Sequence, residues 1–188
     1  GDYQVAIKGA FPAIQLVSEN SPNEELENAD KLTSIDQWGS NAWQSMELAF
    51  YNCAEMELNA LDVPNMENVE SMFGMFSGCL NFNGDLSAWD TSNVSNMEAT
   101  FFVTNKFDQN LGGWNLSNVT TMKNMLSETA LSQESYNQTL IGWAAAETTP
   151  TDIDLGPTGL TFCGEAAQAA RTKLIEELGW QISDSQCP

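Results

Sequence analysis

The chain has 188 residues, with 26 acidic and 6 basic side chains, no histidine and a formal charge of −20. That charge argues against nucleic-acid and anionic-membrane partners, and the missing histidine removes Ser-His, Cys-His and the usual zinc-hydrolase chemistry. No apolar run approaches the roughly 18 residues of a membrane helix, so no membrane insertion by this segment is expected.

Tyr3 to Phe11 and Ile14 to Val17 read as two short strands, followed by an acidic surface loop from Ser21 to Asp30. Residues 1–30 are therefore expected to be an N-terminal β cap, or the remnant of a preceding β domain. No basic-then-apolar leader opens the chain, so it reads as a mature protein or an excised segment.

A repeat occupies residues 31–131. Ile35, Trp38, Trp43, Met46, Phe50, Cys53 and Met56 are separated by gaps of 3, 5, 3, 4, 3 and 3. Leu86, Trp89, Val94, Met97, Phe101, Thr104 and Phe107 repeat those gaps. A second copy runs Leu58, Leu61, Val69, Met72, Phe76, Cys79 and Phe82, with three extra residues around Pro64. The fourth runs Leu111, Trp114, Val119, Met122, Leu126 and Thr129 before slipping at Leu131. A fixed period of this size marks a stacked repeat, and the gaps fit neither the helical nor the strand period throughout. The expected fold is α/β and β-rich, a solenoid of about four rungs closed by a helical C-terminal cap. Each rung is expected to hold a short strand at Leu-x-x-Trp, a turn, an extended Val-x-x-Met and a single helical turn carrying the Phe. Trp38, Trp89 and Trp114 are expected in the core rather than in an exposed ladder for stacking sugars.

Residues 132–188 read as the C-terminal cap, ordered helix, strand, helix. Ser132 can cap a helix with Tyr136, Leu140, Ile141 and Ala144 on its apolar face. Thr148 to Pro157 reads as a turn-rich connection and Leu160 to Cys163 as a strand. Gly164 to Leu178 reads as a helix stopped at Gly179, with Trp180 as its clamp.

Four cysteines allow three pairings. Cys163 and Cys187 flank the last helix, where a disulfide would staple the cap. Cys53 and Cys79 hold the same place in adjacent repeats. They are read as stacked thiols, with a disulfide as the alternative. Sequons stand at Asn93, Asn115, Asn118 and Asn137; two of them fall inside the repeat turn, where the Asn is read as bonding neighbouring backbone rather than as a glycan acceptor.

Candidate binding positions are the outward residues Ser87, Asp90 and Asn115. Asp62, Asp90 and Asn115 follow the Leu or Trp of successive repeats, which admits calcium near Asp62 and Asp90, although no known calcium-loop spacing is present. No other cofactor is indicated. A carboxylate pair such as Asp85 and Asp108 makes a glycosidase the remote enzymatic alternative. The chain is expected not to be an enzyme, because a repeat core commits its residues to packing rather than to a cleft.

The rung Phe-Asn-x-Asp-Leu-Ser-x-Trp-Asp-Thr-Ser-Asn-Val-x-Asn-Met at Phe82 to Met97 resembles the BspA-like leucine-rich-repeat surface proteins of bacteria. These are domain-of-unknown-function proteins with a 25-residue repeat. Ile35 to Gly39 with Trp43 to Met46 is similar to their entry rung. Ser135 to Trp143, Phe162-Cys163 and Gly179-Trp180 are similar to their closing module. The insertion near Pro64 and Leu126 in place of an aromatic depart from the pattern. The resemblance implies a leucine-rich-repeat-like solenoid in a secreted or cell-surface protein. It also implies a non-catalytic role in adhesion or in binding an extracellular protein or glycan. A monomer is expected, with a structural spacer between other domains as the alternative.

Overall fold

The computed structural model describes Ala13, Ile14, Ala29 and residues 31–188. The expected N-terminal strands and acidic loop lie almost wholly outside the described residues. Ala29 is buried and Ile14 packs against the same core.

The repeats are joined by backbone hydrogen bonds that recur at every second residue. Met46, Leu48, Phe50 and Asn52 donate their N–H groups to the carbonyls of Ser71, Phe73, Met75 and Ser77. Met72, Gly74, Phe76 and Gly78 do the same to Asn96, Glu98, Thr100 and Phe102. Met97, Ala99, Phe101 and Val103 then reach Thr121, Lys123, Met125 and Ser127. The intervening amides turn inward: Thr100, Phe102 and Thr104 donate to Met97, Ala99 and Phe101 within tandem turns. From Met46 to Asn52, Met72 to Gly78 and Met97 to Thr104 every amide has an acceptor, as burial requires.

This strip replaces the single helical turn expected to carry the Phe. Its turns hold a left-handed residue at two positions per repeat: Leu48 and Asn52, Gly74 and Gly78, Ala99 and Val103, Asn124 and Glu128. A left-handed φ ends helical propagation and turns alternate amides toward the next repeat. The Leu-x-x-Trp segments are also turns, closed by Trp89 N–H to Leu86 O and by Trp114 N–H to Leu111 O. Among the described residues of the repeats, paired strand is confined to β1 (Ser34–Ile35) against β2 (Glu57–Leu58) and to isolated parallel bridges such as Ser71–Asn96–Thr121.

Inside the strip the aromatic rings stack. Phe50 and Phe76 lie 5.7 Å apart, Phe76 and Phe101 5.8 Å, and Phe82 and Phe107 6.2 Å. Phe76 and Phe82 approach to 4.1 Å, and Phe101 and Phe107 to 4.0 Å. The position shared by Cys79 and Thr104 tethers neighbours: Cys79 Sγ donates to Phe50 O at 2.9 Å and Thr104 Oγ1 to Phe76 O at 2.8 Å. Cys53 and Cys79 remain buried thiols, and burial pushes the Cys79 thiol well above its ordinary pKa.

Trp38, Trp89 and Trp114 are buried. Leu61, placed with them as a core position, is instead fully exposed at 102%. The insertion around Pro64 carries it outward, and Trp38 reaches past the second repeat to contact Trp89 at 5.3 Å.

The stack continues beyond residue 131. Helix α1 (Gln133–Ala145) starts at Ser132, whose hydroxyl accepts the N–H of Ser135. Leu140 and Trp143 form a further Leu-x-x-Trp pair on its buried face. Trp143 Nε1 donates to Leu111 O at 2.9 Å, just as Trp114 Nε1 donates to Leu86 O at 3.1 Å. The helix sits hard on the fourth repeat: a Cβ on Gly142 would fall 2.3 Å from Gly112 O.

Strand β3 (Asp154–Phe162) begins inside the segment read as a turn-rich connection, because the fourth repeat supplies it with partners. Asn124 N–H bonds Leu155 O and the Ser127 hydroxyl donates to Pro157 O. Helix α2 (Glu165–Thr172) widens into a π turn over Lys173–Glu177. The chain leaves at Gly179 (φ +72) and enters β4 (Gln181–Gln186), parallel to β3. Cys163 and Cys187 are joined by a disulfide with Cα atoms 5.3 Å apart. The Asp184 side chain is fully buried, taking Arg171 Nε at 2.6 Å and the Tyr136 hydroxyl at 2.8 Å.

Two substitutions test this packing. Gly142→Ala would favour an isolated helix by about 1 kcal/mol, yet here it is expected to destabilise by about 1–3 kcal/mol. Val103→Gly removes a β-branched residue from a left-handed position and is expected to stabilise by about 1 kcal/mol. Denaturant midpoints read both.

Candidate functional site

Buried Val69, Val94 and Val119 anchor equivalent positions, and their neighbours point outward in columns. Asn68, Asn93 and Asn118 precede the valines, and Glu70, Ser95 and Thr120 follow them. In the first repeat Gln44 follows Trp43. Stacking turns this sequence spacing into one surface. Gln44, Glu67, Asn68, Glu70, Asn93, Ser95 and Asn118 line an open groove of about 490 Å³ crossing all four repeats.

Its floor is fixed by bonds between repeats. Asn93 Nδ2 donates to Glu67 O at 3.0 Å and Asn118 Nδ2 to Ser92 O at 2.6 Å. Ser95 Oγ donates to Glu70 O at 3.1 Å, and Thr120 Oγ1 to Ser95 O at 3.0 Å. These asparagines thus bond backbone, as the sequence suggests, but in the preceding repeat rather than in their own turn. Asn115 and Asn137 differ: the first accepts Ser117 N–H within its turn, and the second exchanges two bonds with Cys163.

Ser87, Asp90 and Asn115 are exposed but do not line this groove. Asp90 accepts Ser92 N–H at 3.0 Å and Asp85 accepts Ser87 N–H at 2.9 Å, so these carboxylates lock turns. Bonds from the Ser92 hydroxyl and N–H lower the Asp90 pKa, and those from the Ser87 N–H and hydroxyl lower that of Asp85. For Asp108, burial raises the pKa, but bonds from Ser135 and Ser132 outweigh it and the net shift is downward. A glycosidase acid needs the opposite shift. Asp62 accepts the N–H groups of Trp38 at 3.0 Å and Gly39 at 2.7 Å, joining the insertion to the first repeat. Among the described residues, no three carboxylate or cysteine side chains gather where a metal could sit.

A family model described as "Mycoplasma protein of unknown function, DUF285" matches residues 27–153. The chain belongs to that family. The DUF285 segment covers the four repeats and α1, and it ends where β3 begins. It therefore contains the whole groove and the helix carrying Trp143. No curated protein and no solved structure matches the chain. Among the described residues, no helix is long and apolar enough to cross a membrane.

The groove was not anticipated from sequence. Asn68, Asn93 and Asn118 recur every 25 residues before a buried Val, the same signal that located the core, but here it marks an outward column.

Asp62 offers a pH test. Bonding to Trp38 N–H lowers its pKa below the ordinary 3.8, so its stabilisation is present above pH 3.8 and is lost as pH falls further. Asp62→Ala is expected to unfold at lower denaturant than wild type near neutral pH. The difference should shrink as pH drops below 3.8, which paired denaturation curves would follow.

Proposed function

We propose that this chain is a leucine-rich-repeat-like solenoid of BspA-like type within DUF285. It acts as a non-catalytic binding module of a secreted or cell-surface protein, and its groove takes an extracellular protein or glycan. The observation that carries the reading is the columnar groove: equivalent polar residues from consecutive repeats present one continuous surface. Repeat architectures make extended binding faces in this way, since the core commits the inward residues and leaves the outward ones to vary. The lowered pKa values of Asp85 and Asp108 favour binding over hydrolysis.

The test is a glycan and matrix-protein array, run with calcium and again with chelator. Wild type is compared with Asn93→Trp, which fills the groove, and Ser87→Trp, which leaves it open. Signals lost only in Asn93→Trp support the groove. Signals lost only in Ser87→Trp move the face to the turn column, and wild type without any signal favours a spacer.

A further inference from the structure

We infer that the groove takes a cationic, donor-rich ligand: an extended lysine- or arginine-rich segment of another protein. The inference rests on the reading of the groove as a binding face and names the chemistry of its occupant.

The argument is an account of hydrogen-bonding capacity. One amide hydrogen each of Asn93 and Asn118 is already given to the preceding repeat. The hydroxyl hydrogens of Ser95 and Thr120 are given to Glu70 O and Ser95 O. Gln44 directs its amide to Ala42 O. Asn68 gives one amide hydrogen to Glu67 Oε1 at 3.4 Å. The second amide hydrogens of Gln44, Asn68, Asn93 and Asn118 are left over, but acceptors outnumber them: the side-chain carbonyls of those four residues, the lone pairs of Ser95 and the carboxylates of Glu67 and Glu70. A ligand made of acceptors, such as a sulfated glycan or a nucleic-acid backbone, would find few donors and two like charges.

Charge separates the remaining classes. Between described residues the ion pair is Arg171 with Asp184, and none reaches Glu67 or Glu70. A neutral polyol could donate hydroxyl hydrogens but would cover both carboxylates without compensating their charge, which costs desolvation. An ammonium or guanidinium group supplies donors and charge together. Because equivalent positions recur from repeat to repeat, an extended chain lying along the stack can meet acceptors of successive repeats.

A chain of charge −20 attracts any polycation, so the test must separate the groove from the bulk field. Hexalysine and hexa-arginine peptides are titrated calorimetrically against wild type, the groove variant E67Q/E70Q and the control E147Q/E176Q. The control loses the same charge from exposed positions outside the groove. A roughly tenfold weakening in the groove variant, with less than about twofold in the control, is the expected result. Equal weakening in both variants overturns the inference, since bulk attraction then explains the binding. Basic peptides failing to bind, while an array ligand is still lost on Asn93→Trp, overturns the cationic assignment and leaves the groove in place. No ligand of any kind responding to the groove substitutions overturns both.

Discussion

The structure depends on one arrangement of backbone amides. Along each of the first three repeats, alternate N–H groups point to the next repeat and the intervening ones close turns within their own. This requires a left-handed residue at two fixed positions per repeat, a conformation costing an L-residue about 1–2 kcal/mol. Only the second repeat meets both positions with glycine, at Gly74 and Gly78. In the others, the stacked phenylalanines and the bonds to neighbouring repeats hold Leu48, Ala99 and Val103 in place. A single repeat would carry that strain with half of its strip amides unpaired, so its stability comes from its neighbours.

The same dependence explains how the stack ends. Leu126 interrupts the phenylalanine column, and from there the chain changes its means of covering the core. Trp143, delivered by a helix, continues the indole-to-carbonyl bonding of Trp114, and β3 supplies the carbonyl that a further repeat would have offered to Asn124. The close approach of Gly112 and Gly142 is what lets a helix stand where a turn stood before. Beyond it, the disulfide and the buried Asp184 with Arg171 and Tyr136 hold the last strand.

The spacing of large apolar residues made the core legible, including the buried tryptophans and phenylalanines, because burial recurs with the repeat. Its local geometry was not legible. Left-handed turns at Ala99 and Val103 leave no mark in residue type, since neither is a usual left-handed residue. Leu61 occupied a core position by count but was displaced by an insertion whose path depends on Asp62 reaching Trp38 and Gly39. That Leu140 and Trp143 continue the Leu-x-x-Trp pattern is not legible, because the pair lies on a helix, where helical periodicity masks the repeat spacing. Asn93 and Asn118 carry the sequence signature of local turn residues, and only stacking brings their amides to the preceding repeat, where they help to build a shared groove.

Native-state amide hydrogen exchange tests the central claim most directly, because it reads the pattern of inter-repeat bonds residue by residue. The amides of Met72, Gly74, Phe76, Gly78, Met97, Ala99, Phe101 and Val103 donate across repeats. They should exchange together and only through global unfolding. If those amides exchange much faster than the amides of α1, each with its own opening free energy, the repeats are not held by this ladder and the account fails.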